Sequence, residues 1–255
     1  MSPTRFLAVA GLALSTLFAA APARAEMSAA QKTEIQGVVK DYLMNNPDVL
    51  RDALAEMDKR QKDDETAARK QAVSDAAPKI FNSPNQAVLG NPNGKVTLVE
   101  FFDYNCGFCK KSLDDIAKLV KEDSDLRLVI KDFPVLGPGS VEAAEIATAL
   151  RKQFSGEKYW QYHYKLLGMK GQVGKAQALQ VAKEMGADMA RLDKDTAQPD
   201  TKASIQEVMT IADGLQLTGT PSFVLGDDVV VGAVGYDELK SKLDNVKKCG
   251  KVACG

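Results

Sequence analysis

Two cysteines three positions apart, in Cys106-Gly107-Phe108-Cys109, are the residues whose type and spacing most directly suggest chemistry. Two thiols so placed can close a disulfide, exchange it with another molecule, or help to hold a soft metal ion. Their surroundings narrow the choice. The run Lys95-Val-Thr-Leu-Val-Glu-Phe-Phe-Asp103 reads as a buried strand, and Leu113, Ile116, Ala117 and Val120 recur at helical spacing after it. Cys106 therefore falls at a helix N-terminus, where unpaired amides and a partial positive charge favour a thiolate. This predicts an exposed, low-pKa nucleophile in Cys106 and a shielded, resolving thiol in Cys109, one turn deeper. A four-cysteine zinc site is disfavoured, because Cys249 and Cys254 lie 140 or more residues further on and His163 is the one histidine.

A second signal is Thr218-Gly-Thr-Pro-Ser-Phe223, with Pro221 directly before a short apolar run. Together, Val99-Glu-Phe-Phe-Asp-Tyr-Asn-Cys-Gly-Phe-Cys-Lys110 and Gly219-Thr-Pro-Ser-Phe223 resemble the DsbA-like branch of the thioredoxin superfamily, over residues 80–248. The resemblance implies an α/β thioredoxin-like fold with a helical insertion at 138–215. It implies a cis peptide bond at Pro221 facing the cysteines, with Thr220 and Pro221 pairing with the substrate backbone. The Thr220 hydroxyl would be offered to the nearby sulfur, as in isomerase-type relatives. It also implies a buried acid, Glu100, near the resolving cysteine, where a desolvated carboxylate can move the Cys109 proton. The alternative for Glu100 is a core acid neutralised by a lysine such as Lys131. His163, in Lys158-Tyr-Trp-Gln-Tyr-His163, reads as structural.

The elements that position these residues can be traced along the chain. Leu126-Arg-Leu-Val-Ile-Lys-Asp-Phe133 is a second buried strand, so strand, helix and strand form a βαβ unit with a parallel pair. Ser222–Leu225 and Val229–Ala233 read as a hairpin across Gly226-Asp227-Asp228, followed by a helix from Tyr236 to Lys247. Upstream, Ser28 and Gln31 form a capping box before Ile35, Val38, Val39, Tyr42 and Leu43, which share one helix face. Asn46-Pro47 breaks that helix and starts another, with Val49, Leu50, Ala53, Leu54 and Met57 on its apolar face. Residues 56–70 then carry ten charges. So short an amphipathic pair cannot bury its own stripe, which makes residues 26–57 an oligomerisation segment and 58–79 a charged helical linker. The segment with Asp41-Tyr-Leu-Met-Asn-Asn-Pro-Asp-Val-Leu50 resembles the trimerising part of ScsC-type proteins, which implies a homotrimer and disulfide shuffling under copper stress.

Residues 1–25 form a basic start, one apolar run and Ala23-Arg24-Ala25, the pattern of a cleaved secretory signal. Export to the periplasm would permit disulfides. With 33 basic and 34 acidic residues the chain is near neutral, and without the signal's two arginines the charge is 31 − 34 = −3, which disfavours a nucleic-acid partner. In an oxidising compartment Cys249 and Cys254, at the head and near the end of the tail 249–255, are expected to form a structural disulfide, a relay redox pair being the alternative.

These readings predict an exported thiol-disulfide oxidoreductase that needs no cofactor and cycles through a Cys106-Cys109 disulfide. Its partners would be cysteine-containing exported proteins and a membrane redox partner that reduces or oxidises it. Thr220 and the N-terminal segment favour an isomerase or reductase. A DsbA-type oxidase remains an alternative, as does a Cu(I)-binding chaperone, because Cu(I) favours soft thiolates. A scaffold that has lost its chemistry is at odds with the intact cysteines and Pro221.

Overall fold

The computed structural model describes residues 27–254; the expected signal peptide lies outside them. The chain divides into two compact units between Lys59 and Arg60. The first holds α1 (Ala29–Asn45) and the start of α2 (Pro47–Asn82). The capping box forms as expected: the Ser28 hydroxyl accepts from Gln31 N–H, and the Gln31 side chain accepts from Ser28 N–H. Asn46 separates the helices, its side-chain amide donating to the Tyr42 carbonyl at 2.7 Å. The apolar stripe stays in solvent, with Ile35, Val38, Val39, Tyr42, Val49, Leu50, Leu54 and Met57 all exposed. No residue of α1 is buried.

The second unit is built on a five-stranded sheet. Its elements in order are the end of α2, β1 (Ala87–Gly90), β2 (Val96–Phe102), α3 (Gly107–Glu122), β3 (Leu126–Asp132), α4 (Pro138–Leu150), α5 (Gly156–Leu167), α6 (Lys175–Glu184), α7 (Met189–Thr196), α8 (Pro199–Gly214), β4 (Ser222–Leu225), β5 (Asp228–Val231) and α9 (Tyr236–Cys249). The strand order is β1-β3-β2-β4-β5, with β2 and β3 parallel and every other pair antiparallel. Both faces of β2 are covered, which explains its near-continuous apolar run. Leu98 and Phe102 enter a core shared with α3, α5 and α9, while Val99 and Phe101 enter a second core with α8 and the end of α2. The insertion supplies α4 to α8. Among the described residues no helix is long and apolar enough to cross a membrane.

The expected linker is only partly a linker. Its helix runs on to Asn82, and Val73 and Ile80 are buried in the second core. The carbonyls at its C-terminus meet two cations from β3. Lys131 Nζ donates to Lys79 O at 2.8 Å and Arg127 Nη1 to Phe81 O at 2.9 Å. Positive charge at a helix C-terminus is favourable, so the last turns of α2 belong to the sheet unit.

Candidate active site

Strand β2 ends at Phe102 and the chain turns through Asp103, Tyr104 and Asn105 into α3, whose N-cap is Cys106. The Cys106 sulfur accepts the Cys109 backbone N–H at 3.4 Å. Both cysteines are free thiols. The expected order of accessibility holds, but Cys106 is not broadly exposed: 5% of its surface remains, against none for Cys109. The cover comes from the segment before β4, where the Thr220–Pro221 bond is cis and Thr220 O accepts the Cys106 S–H at 3.1 Å.

The two thiols differ sharply in acidity. Cys106 is lowered to about 5, first by its hydrogen bond with the Cys109 side chain, then, against the opposing effect of burial, by the Thr220 side chain and the amides of Cys109 and Phe108. Cys109 is pushed strongly upward by the same Cys106 hydrogen bond, by burial and by the Glu100 charge. At neutral pH the pair therefore has one thiolate, and it is Cys106.

Glu100 is 2% exposed, and its carboxyl is raised to about 8, mainly by burial and then by Cys106. Lys131 does not neutralise it. In the parallel register Glu100 stands beside Ile130 and Lys131 beside Phe101, so the two side chains leave opposite faces of the sheet. Lys131 instead serves Lys79 O and Gln86 Oε1. His163 is fully buried among Phe102, Tyr104 and Trp160, and burial lowers it to about 3. A neutral ring in the core fits the structural reading.

Two residues next to Cys106 were not singled out from sequence. Asp103 is buried, and its carboxylate accepts from the backbone N–H groups of Asn105, Val135 and Leu136 and from the Ser140 hydroxyl at 2.7–3.0 Å. Asn105 reaches the insertion, where its side chain both donates to Val173 O at 2.8 Å and accepts from Val173 N–H at 2.6 Å. Their partners lie 32 to 68 residues away, so no local pattern marks them. Held by Asp103, Val135 and Leu136 join Phe108 as exposed apolar side chains.

Cys249 and Cys254 are disulfide-bonded. Cys249 is the last residue of α9, the pole of a helix where a thiolate is disfavoured. Beside it Val252 is buried in the first core, so the bridge closes a packed tail. Among the described residues no group of three or more His, Cys, Asp or Glu side chains could hold a metal ion.

Residues 82–245 match the family model described as Thioredoxin, and residues 31–63 match that of the copper resistance protein ScsC N-terminal domain. The chain is similar to a thioredoxin-like oxidoreductase from Silicibacter pomeroyi, at 41% identity and a TM-score of 0.64, covering 68% of this chain and 98% of that one. It is similar to Proteus mirabilis ScsC in a compact conformation, at 25% identity and a TM-score of 0.65 over 86% of this chain and 99% of that one. A curated relative, disulfide bond formation protein D of Bacillus subtilis, is 26% identical over 182 residues, 64% of this chain and 78% of that protein. The chain also matches a sodium/proton antiporter, of whose length it spans 24%.

Proposed function

Because the chain belongs to the thioredoxin family, as a DsbA-like thiol-disulfide oxidoreductase of ScsC type, we propose that it is exported to the periplasm and acts as a disulfide isomerase or reductase. The observation that carries this reading is the opposed acidity of its two thiols beside the cis Thr220–Pro221 bond. The Cys106 thiolate attacks one sulfur of a substrate disulfide. A Cys106–substrate bond forms, the substrate S–S bond breaks, and the released thiolate takes a proton from water. A second substrate thiolate can then attack the mixed disulfide, which rearranges the substrate with no net redox change. Alternatively Cys109 attacks, leaving a reduced substrate and a Cys106-Cys109 disulfide that a membrane redox partner must reduce. The raised pKa of Cys109 makes it a slow competitor, which lengthens the life of the mixed disulfide and favours rearrangement. The apolar rim of Phe108, Val135 and Leu136 suits the exposed segments of a misfolded protein.

Glu100 takes the proton that Cys109 must lose. Glu100→Gln should slow resolution by at least about 10²-fold, seen as mixed disulfide persisting after quench, while alkylation of Cys106 keeps its rate. Unfolding gives an independent check. A raised folded pKa contributes stability that is full below about 4.5 and lost as pH rises through about 8. Glu100→Gln should therefore gain on the wild type in urea unfolding between pH 4.5 and 8, and a constant difference would contradict this placement.

The support of the thiolate is tested at Thr220, whose side chain helps to lower the Cys106 pKa. Thr220→Val removes that hydrogen bond with little change of volume, so the thiolate loses support and the balance moves away from isomerisation. The rate of reactivating scrambled ribonuclease should fall, and so should the rate of oxidising reduced ribonuclease, because a less stabilised thiolate makes the Cys106-Cys109 disulfide a weaker oxidant. Unchanged rates would leave Thr220 without the proposed role. Stoichiometric copper on the purified protein, with neither ribonuclease activity, would favour a Cu(I) carrier using the two thiols.

A further inference from the structure

The side chain just before the nucleophile ties the segment that presents Cys106 to the loop of the helical insertion. Asn105 donates to Val173 O and to Ser140 Oγ and accepts from Val173 N–H, at 2.6–3.0 Å. Its own backbone N–H is fixed by Asp103, whose carboxylate also receives the Ser140 hydroxyl. The insertion loop from Gly168 to Gly174 is held on its other side by Lys110, one residue beyond Cys109, whose ammonium donates to Met169 O at 2.7 Å and Gly171 O at 3.0 Å. The contact is close: a Cβ on Gly139, in the first turn of α4, would lie 3.0 Å from Val173 O.

We propose that Asn105 is a positioning residue, through which the docked insertion loop sets the reactivity of Cys106. This rests on the reading of Cys106 as the nucleophile. The physical link is alignment. The Cys109 amide supports the Cys106 sulfur from 3.4 Å, an ordinary N–H···S distance, and such a bond weakens steeply with angle, so a swing of the Cys106 backbone misaligns it. Asn105 blocks that swing because backbone and side chain are both pinned. A loop 168–174 displaced from α4 pulls on the residue adjoining the nucleophile, so a substrate that engages the loop can adjust the sulfur it is about to meet.

The charged and titratable groups around the sulfur are Glu100 from β2, Cys109 and Lys110 from α3, and Asp103 from the turn. None of them is altered by the variants below. Asn105→Ala removes the tie directly. Gly139→Ala presses on Val173 O at 3.0 Å while its Cβ meets the Asn105 amide only at an ordinary van der Waals distance of 3.8 Å. Lys170→Ala, an exposed change in the same loop, is the control.

The readout is the pH dependence of iodoacetamide alkylation of the reduced, full-length protein, with Cys106 identified by peptide mass. The wild-type and Lys170→Ala midpoints should coincide well below pH 7. Asn105→Ala and Gly139→Ala should both move upward by about one pH unit, a tenfold loss of thiolate below the midpoint. Folded variants with lower melting temperatures and an unmoved midpoint would overturn the proposal, since a purely structural tie changes stability alone. If Asn105→Ala does not fold, Gly139→Ala decides. A wild-type midpoint near that of an ordinary thiol would instead refute the nucleophile assignment, a result separate from failure of the tie.

Discussion

Cys106→Ala should abolish both the reduction of small disulfides and the reactivation of scrambled ribonuclease, a loss of at least about 10³-fold, because the remaining thiol is fully buried and strongly raised. Cys109→Ala should behave in the opposite way. It keeps Cys106 at the head of α3, so attack proceeds, but no internal thiol releases the product. Mixed disulfides should build up to a large fraction of the enzyme and be visible on a non-reducing gel. One input changes with this variant, since the Cys109 side chain gives the largest lowering of the Cys106 pKa. The alkylation midpoint of Cys109→Ala should therefore rise while its mixed disulfides still accumulate. Faster alkylation of Cys109 than of Cys106 in the wild type would reverse the roles.

Removing residues 26–57 should give the second large effect. These residues carry a stripe from Ile35 to Met57 whose large apolar side chains are mostly exposed among the described residues. Burial against sister chains would supply cover, and the match to the ScsC N-terminal domain is in keeping with an assembly of copies, for which the resemblance implies a trimer. A misfolded substrate held by one site then sees further thiolates at high effective concentration. The shortened protein should have a threefold lower mass by light scattering. It should reduce small disulfides at the wild-type rate and lose ribonuclease reactivation by at least about tenfold. A monomeric wild type at micromolar concentration would sink the assembly, and undiminished reactivation by the shortened protein would sink the mechanism built on it.

Much of this was readable in advance, and the exceptions share a cause. Strands β2 and β3 stood out because burial on both faces leaves an unbroken apolar run, and the β4–β5 hairpin because Gly226-Asp227-Asp228 separates two such runs. Strand β1 escaped notice: Ala87-Val-Leu-Gly90 is four residues long, and its strand character comes from pairing antiparallel to β3. The docked end of α2 was hidden in the same way. Val73 and Ile80 are isolated apolar positions in a helix of charged residues and alanines, and only the fold shows that they enter the second core. At the site, the cysteines and Pro221 were evident from spacing, and Thr220 from its neighbour. The face of Glu100 followed from register, which the sequence alone does not supply. Asp103 and Asn105 sit inside the quoted motif, yet their function depends on Val135, Ser140 and Val173, which only the fold brings near.

The placement of the two cysteine pairs at opposite poles of their helices has a consequence for the life of the molecule itself. A newly made chain with four thiols is its own first client, and it must oxidise one pair without sacrificing the other. Cys106 opens α3, where the helix field makes it a ready nucleophile and a good leaving group. Cys249 closes α9, where the same field makes it poor in both respects. Once formed, the tail bridge is an unattractive target for the thiolates of neighbouring copies. The polarity of two helices thus sorts the four sulfurs into a working pair and a retired one, so that a thiol-disulfide oxidoreductase leaves its own tail bridge intact.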